Sequence, residues 1–510
     1  MLRQTLLAAA LFAALPAAHA AEVKKTVGAV QLIENRLLER VSADGSVLLV
    51  RKSGAGLEEA DGVVLNELRL RLSETDLWNL QPAQGLALDG AAGETPVPLP
   101  DGAYFTATTT RMSADGKFVA FGAGANGSLD AWRWQAGGTL QRLVPEGRAW
   151  RSGVADISRD GRTVLGWLLP DRQSVPRTFL WTEDGGFSLL PDDMNLPFAL
   201  SADGQRVFGT RFRGNFRQLL QRGARELFEQ QMPFDNTEGA GDWDIVGVSA
   251  DGQRLAGHVE IKGTSRWQGF LWDEQTGFVE QADPPMLERQ PGGEKPDFDD
   301  FARRIRAASG MTDADRFTFL QTDAVSWQPG KGLDVIEAGG VPAGMSARGD
   351  TLFAYQTGSW PPRLWQIDAG GRTDLGGKLN VRNSYLRLLS VSDDGSRVWL
   401  RGDDYEAMSS GTYFFRDGKR VPLGKVQAAI SPVSVSADGR TLAGIGATET
   451  RPQRYPAMVW SEATGRDTAY HCPGDSMGSG TLVLSGDGKV LATGQSGTKR
   501  SVICLRRIAP

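Results

Sequence analysis

The sequence predicts an all-β fold, a single large β-propeller of about eight to ten four-stranded blades carrying a short helical insertion. Two observations lead to it. A Ser-x-Asp-Gly tetrapeptide recurs along the chain, with most copies starting 43 to 49 residues after the one before. Each copy also sits in the same order of short strands, with an apolar residue ahead of it, an alternating strand behind it, then an aromatic strand and a Gly-bearing turn. Four short strands in a period of roughly 40 to 50 residues is how propeller blades are built, because radial packing buries both faces of each sheet. A stack of solenoid coils is the structural alternative, but coils use shorter periods and fewer hairpins.

Residues 1–20 read as a secretory signal: Arg3 is the positive region, Leu6 to Leu15 the apolar run, and Ala18-His19-Ala20 the cleavage site. The propeller is expected to occupy residues 21–510. No run of about 20 apolar residues follows, so the mature chain is expected to have no integral membrane segment and to be periplasmic or secreted. Losing Arg3 changes the net charge from -5 to -6. The pI is near 5.5, and Lys and Arg are scattered rather than gathered in a basic stripe, so no nucleic-acid partner is expected.

Eight copies keep the aspartate and glycine of the turn: Asp44 and Gly45, Asp115 and Gly116, Asp160 and Gly161, Asp203 and Gly204, Asp251 and Gly252, Asp394 and Gly395, Asp438 and Gly439, Asp487 and Gly488. Ser346-Ala-Arg-Gly-Asp is a ninth, worn copy that has lost its aspartate position. Ser and Asp side chains accept bonds from nearby backbone amides, and Gly takes the positive φ of a tight hairpin, so these residues are expected to be structural turns. A calcium role would need six to eight oxygens converging on one point, which hairpins one period apart do not supply. No cofactor or metal is expected.

The aromatic strands follow in order: Ala131-Trp-Arg-Trp134, Thr178-Phe-Leu-Trp181, Gly269-Phe-Leu-Trp272, Ala324-Val-Ser-Trp327, Arg363-Leu-Trp365, Tyr413-Phe-Phe415 and Ala457-Met-Val-Trp460. Small residues Gly166, Gly209 and Gly257 suit strands near a crowded axis. Two intervals break the rhythm, 71 residues from Ser42 to Ser113 and 97 from Ser249 to Ser346. The first implies an insertion at about 52–105. The second is close to two periods, so a degenerate unit can lie within it beside an insertion at about 281–318. In the latter, Asp297 and Gly310 cap a short helix, and Phe298, Phe301 and Ile305 share one face. That face either packs on the propeller or docks a partner.

The last unit stops before its final strand, while Val27 to Ile33 stands alone ahead of the first, so the two are expected to pair and close the ring. Cys472 and Cys504 lie near the C-terminal end of an exported chain and are expected to form a disulfide, two buried free thiols being the alternative.

With these residues in view, the repeat of hydrophobic-Ser-Ala-Asp-Gly, alternating strand and Ala-Phe-x-Trp-like strand resembles the repeats of bacterial extracellular HAF-repeat proteins. It is also similar, more loosely, to the Ser-Pro-Asp-Gly repeats of TolB-like propellers, although no copy here has the Pro. The resemblance implies a propeller, export, and contacts with proteins or glycans; it implies no single activity.

Chemistry-bearing patterns are sparse. Only His258 and His471 remain after signal removal, in different units, and no Gly-x-Ser-x-Gly elbow precedes a helix. The turn differs in spacing from the sialidase Asp-box and lacks its Trp. The sequence therefore favours a non-catalytic binding or scaffolding propeller that recognises a protein or glycan of the cell envelope. The alternative is a propeller enzyme acting on glycans, hydrolase or lyase, and no catalytic residue can be assigned to it.

Overall fold

The computed structural model describes residues between Lys24 and Ile508, leaving outside the description 1–23, 53–85, 213–239, 311–321, 509–510 and interior segments of fewer than ten residues, among them 249–253. The expected signal peptide and the turn at Asp251 and Gly252 lie outside the described residues.

Each repeat begins with a turn whose serine is at most 1% exposed: Ser42, Ser113, Ser158, Ser201, Ser346, Ser392, Ser436 and Ser485. A buried hydroxyl must find partners, and these do so in one way. Ser158 Oγ donates to Asp160 Oδ1 at 2.7 Å and accepts the Thr163 N–H at 2.9 Å, while Asp160 Oδ1 accepts the Arg162 N–H at 3.0 Å. The worn copy keeps the bond by exchange. Ser346 Oγ donates to Asp350 Oδ1 at 2.7 Å, and Arg348, standing where the aspartate was, pairs with Asp350 at 3.1 Å.

The turn glycines supply both the backbone conformation and the space. Gly161 has φ +75°, and a Cβ there would lie 2.3 Å from the Phe118 ring of the preceding repeat. The same contact recurs at each ring turn: Gly116 sits on Val47, Gly204 on Thr163, Gly349 on Arg206, Gly395 on Thr351, Gly439 on Arg397, Gly488 on Thr441 and Gly45 on Val490. The last of these returns to the start. Eight turns therefore make a closed cycle.

The sheets close in the same order. Each is an antiparallel set of strands such as Arg151–Ile157, Thr163–Leu169, Arg177–Thr182 and Gly186–Leu189, hydrogen-bonded in sequence order. First strands of successive sheets pack on one another, and Arg36–Val41 packs on Leu482–Leu484, so the first strands line an axis. Apolar clusters fill the spaces between sheets, from Leu49, Phe121 and Trp134 between the first and second to Ile33, Leu38, Val50 and Ile503 between the last and first. This is an eight-bladed β-propeller. The aromatic strand is the third of its blade, and its rings pack between blades, as with Phe414 and Trp460, which meet Trp399 of a second strand.

The ring closes through the N-terminal strand. Val30–Glu34 pairs with Ser501–Arg507, Leu32 opposite Cys504 and Ile33 opposite Ile503, and completes the blade begun by Leu482–Leu484 and Val490–Ser496. Lys24–Val27 adds a fifth, outer strand. Cys472 and Cys504 form a disulfide with Cα atoms 6.0 Å apart, packed with Val30 and Leu32. Closing one blade with both ends of the chain makes separation of the ring require breaking a whole strand pairing.

The eight blades fall within the expected eight to ten, although the tetrapeptide occurs nine times. The expectation of a degenerate blade between Ser249 and Ser346 needs correction, because the described residues there form none in the ring. The fourth blade is Leu196–Leu200, Val207–Phe212, Thr322–Gln328 and Gly332–Glu337, so the chain leaves it after Phe212 and re-enters at Thr322. Between them lies an insertion with its own sheet, Ala240–Val248, Arg254–Ile261, Arg266–Asp273 and Gly277–Val279, with Met286–Glu288 beside it. The insertion is thus far longer than 281–318. The first insertion is correspondingly shorter than 52–105, because Leu86–Gly90 and Gly93–Pro96 complete the first blade.

The expected helix is Phe298–Ala308, and Phe301 and Ile305, each 1% exposed, pack on Val246, Ala256, Trp267, Leu271 and Leu287 of the inserted sheet. These two side chains face neither the ring nor solvent; Phe298 starts the helix. His258 stacks near Phe301, ring centroids 5.7 Å apart, and burial lowers its pKa to about 4. The glycines also act differently from expectation. A Cβ on Gly166 would strike Phe179 at 2.3 Å and one on Gly209 the Leu196 carbonyl at 2.5 Å, so both make room within their own blade.

The Phe212–Thr322 pairing makes the insertion removable. Replacing 213–321 with a two-residue Asn-Gly turn is expected to leave the far-ultraviolet circular dichroism of the ring and a cooperative thermal transition intact. Loss of the cooperative transition would mean that the insertion is part of the ring.

Candidate functional site

The eight turns gather at one end of the axis, and the residue after each serine faces the next turn. Ala43 N–H bonds the Ala114 carbonyl at 2.8 Å, and the chain of bonds continues through Arg159, Ala202, Ala347, Asp393 and Ala437 to Gly486. It shifts by one residue at the closure, where Asp487 N–H bonds the Ala43 carbonyl at 2.7 Å. A Cβ on Gly486 would lie 3.1 Å from Ala43 Cα, which is why this copy alone carries Gly after its serine. The result is a rim of eight residues in which six are Ala or Gly.

The other two are charged and opposite in sign. Arg159 of the third blade and Asp393 of the sixth form an ion pair three places apart round the ring. It crosses the mouth of the axis. Both side chains remain accessible, at 53% and 41% of their surface.

Below the rim the first strands bulge just ahead of the serine in blades one to seven, as between Val154 and Asp156. The residue that follows the bulge bonds across to the next blade: Asp156 Oδ2 accepts the Leu200 N–H at 2.8 Å, and Ser434 Oγ accepts the Leu484 N–H at 2.9 Å. The position that Asp156 holds in the third blade is Arg111 in the second and Arg40 in the first. Arg40 bonds the Glu39 carbonyl at 2.8 Å and Arg111 the Thr110 carbonyl at 3.0 Å. Burial lowers the pKa of both guanidiniums, Arg40 adding a like charge to Arg111, and burial raises that of the Asp156 carboxyl against the pull of its N–H donors and Arg111. In blades four to eight the same position is Ala199, Gly344, Ser390, Ser434 and Val483. The positive side chains thus collect on one arc.

The bulged residue of the fourth blade, Phe198, is 42% exposed and meets Phe208 edge-on at 6.0 Å. The described turn residues among those predicted encircle this mouth, Asp251 and Gly252 lying outside the described residues, but Arg40, Arg111, Asp156, Arg159, Asp393 and Phe198 were not among the expected site residues. One signal was present: Arg159 and Asp393 are the only charged residues after a serine in the repeat.

The turn aspartates are structural acids. In Asp394 desolvation pushes the pKa up, but the Ser392 hydroxyl, the Ser396 N–H and hydroxyl and nearby Arg397 outweigh it and hold it at about 2. In Asp44 the Ser46 N–H and the Ser46 and Ser42 hydroxyls act downward; Asp115, Asp160 and Asp487 are also lowered, serine and amide donors outweighing desolvation. A carboxyl with a depressed folded pKa stabilises the fold above its unfolded pKa of about 4. That stability is expected to disappear as pH falls from about 4 to 2, opposed by Asp156 and Glu337, whose raised values favour the fold in acid. Urea unfolding at stepped pH checks this, and a free energy unchanged over that interval would contradict it.

No family model and no curated protein matches the chain. Among solved structures it is similar to an oligogalacturonate lyase from Vibrio parahaemolyticus, with 9% identity and a TM-score of 0.38 over 79% of this chain and 89% of that one. It is similar to TolB from Acinetobacter baumannii, with 10% identity and a TM-score of 0.28 over 69% of this chain and 63% of that one. A third is the β-propeller domain of the Trilobed protease from Pyrococcus furiosus, with 10% identity and a TM-score of 0.27 over 73% of this chain and 99% of that one. The resemblance to HAF-repeat proteins rests on the tetrapeptide and its flanking strands.

Proposed function

We propose that the chain is an exported, non-catalytic binding or scaffolding propeller that recognises a protein or an envelope glycan on the turn face of its ring. The observation that supports this most is the commitment of the acids there. Each described turn aspartate that bonds its serine is a staple, Asp156 holds the Leu200 and Ile157 amides, and Asp393 pairs with Arg159. Glycan cleavage by an acid pair requires two carboxyl groups roughly 5 to 10 Å apart that a sugar can reach. Asp323 and Glu337 of the fourth blade lie close enough to influence each other, but they are 0% and 3% exposed and are held by Arg211 and Arg372. The disulfide accords with an oxidising compartment, and among the described residues no helix is long and apolar enough to cross a membrane.

Affinity capture of residues 21–510 from an envelope extract tests the reading, compared with a variant whose mouth is filled by Ala114→Trp and Ala437→Trp. Specific recovery that the filled mouth abolishes is expected. Recovery indifferent to the two tryptophans, or turnover of a polysaccharide by the intact protein, would count against it.

A further inference from the structure

We propose that the N-terminal strand Val30–Glu34 is a gate over the Cys472–Cys504 disulfide. The bridge is closed to thiols while the strand is docked and becomes reducible when the strand leaves, so the ring responds to the redox state of its surroundings only once it has opened. The bridge joins two blades. Cys472 follows the outer strand of the seventh, Arg466–Tyr470, and Cys504 lies on the third strand of the eighth.

The strand register decides what covers the bridge. Leu32 is the direct partner of Cys504 and Val30 that of Arg506, so Leu32 and Val30 share the face on which Cys504 lies, while Ile33 takes the opposite face. Val30, Leu32 and Val502 pack with the two cysteines, which are 7% and 4% exposed. Thiol–disulfide exchange requires a thiolate to reach one of the sulfurs. The attacking sulfur bonds one cysteine and the other leaves as a thiolate. A second thiol on the same reagent then frees the first cysteine and closes the reagent's own disulfide, so that two electrons pass to the protein. With Leu32 and Val30 in place the first approach is blocked.

The strand can leave without the ring coming apart. It is held on one side by Ser501–Arg507, and its other neighbour, Lys24–Val27, belongs to the same terminal hairpin and departs with it. Ser501–Arg507 stays paired with Val490–Ser496 along its length, and Arg506 lies over the Tyr470 ring at 5.2 Å, a second tie between the eighth blade and the seventh. Opening from a chain end in this way costs less than global unfolding.

The rate at which dithiothreitol reduces residues 21–510, read by alkylating the freed thiols and measuring the mass of the product, tests this. Ile33 is the informative position, because it anchors the strand at 0% exposure on the face away from the bridge. Ile33→Ala is expected to speed reduction at least about ten-fold, and Ile33→Val about two- to ten-fold. Leu165→Ala truncates a side chain equally buried in the core beside the third blade and is expected to leave the rate unaltered. Deleting residues 24–34 is expected to give the fastest reduction, slowed again by adding the 24–34 peptide; should the deleted chain not fold, the two Ile33 variants decide alone. Reduction of both Ile33 variants at the parent rate would overturn the proposal, because access would then not depend on docking of the strand. Equal acceleration by Leu165→Ala would also overturn it, since the bridge would then be reached by global unfolding.

Discussion

Deleting residues 24–34 is expected to destabilise the protein more than any single substitution within a blade. Those residues provide the strand that completes the eighth blade and bury Ile33 at 0%, Val30 at 2% and Leu32 at 8% exposure. Truncating one such side chain, Ile33→Ala, should cost about 2 to 5 kcal/mol through lost transfer energy and the cavity left behind. Removing the whole strand also leaves Ser501–Arg507 as an open edge and uncovers the disulfide. That bridge closes a separation of 32 residues, a constraint valued at about 4 kcal/mol in the chain-entropy picture, so reduction should depress the melting temperature of the deleted protein further. A synthetic peptide of residues 24–34 added in excess is expected to restore part of the loss by mass action. An unchanged melting temperature after deletion would show that the ring does not depend on this strand.

Gly161→Val should be the most damaging turn substitution, at about 3 to 5 kcal/mol, combining left-handed backbone strain with overpacking against Phe118. Gly137 separates the two contributions, because its φ is +77° and a Cβ there would meet nothing within 4 Å. Gly137→Val should therefore cost only about 1 to 2 kcal/mol, from the left-handed backbone alone. Urea unfolding of both variants reads the difference, which belongs to the contact between the second and third blades. Equal losses at the two positions would mean that backbone conformation alone demands the glycines, and that the inter-blade contact contributes nothing.

The same pair of glycines shows why part of the fold was legible in the sequence. A positive φ is a local requirement, written as Gly at a fixed offset from Ser and Asp, and strand alternation is local too. The blade count was not legible. Ser249-Ala-Asp-Gly has the same letters as the ring copies, yet the described glycine contact runs from Gly349 directly to Arg206, joining the fifth blade to the fourth. A signal for the insertion did exist: the Ser201 unit has no aromatic strand before Ser249, and Ala324 to Trp327 was the spare one that completes it. The charged mouth was hidden for a different reason. Arg159 and Asp393 are 234 residues apart, and only the angle between blades decides that they meet.

The sequence by itself determined the hairpins, the four-strand rhythm, the closing N-terminal strand and the cysteines that could bridge, because turn chemistry and side-chain alternation act over a few residues and leave their mark on each copy. The tertiary structure alone decided that eight units close the ring, that the unit around Ser249 is inserted in the fourth blade with the helix packed on it, that Asp350 replaces a missing aspartate, and that an ion pair spans the axis. Each of these depends on which blade lies beside or across from which. That is fixed by the packing of whole sheets rather than by any residue's neighbours in the chain.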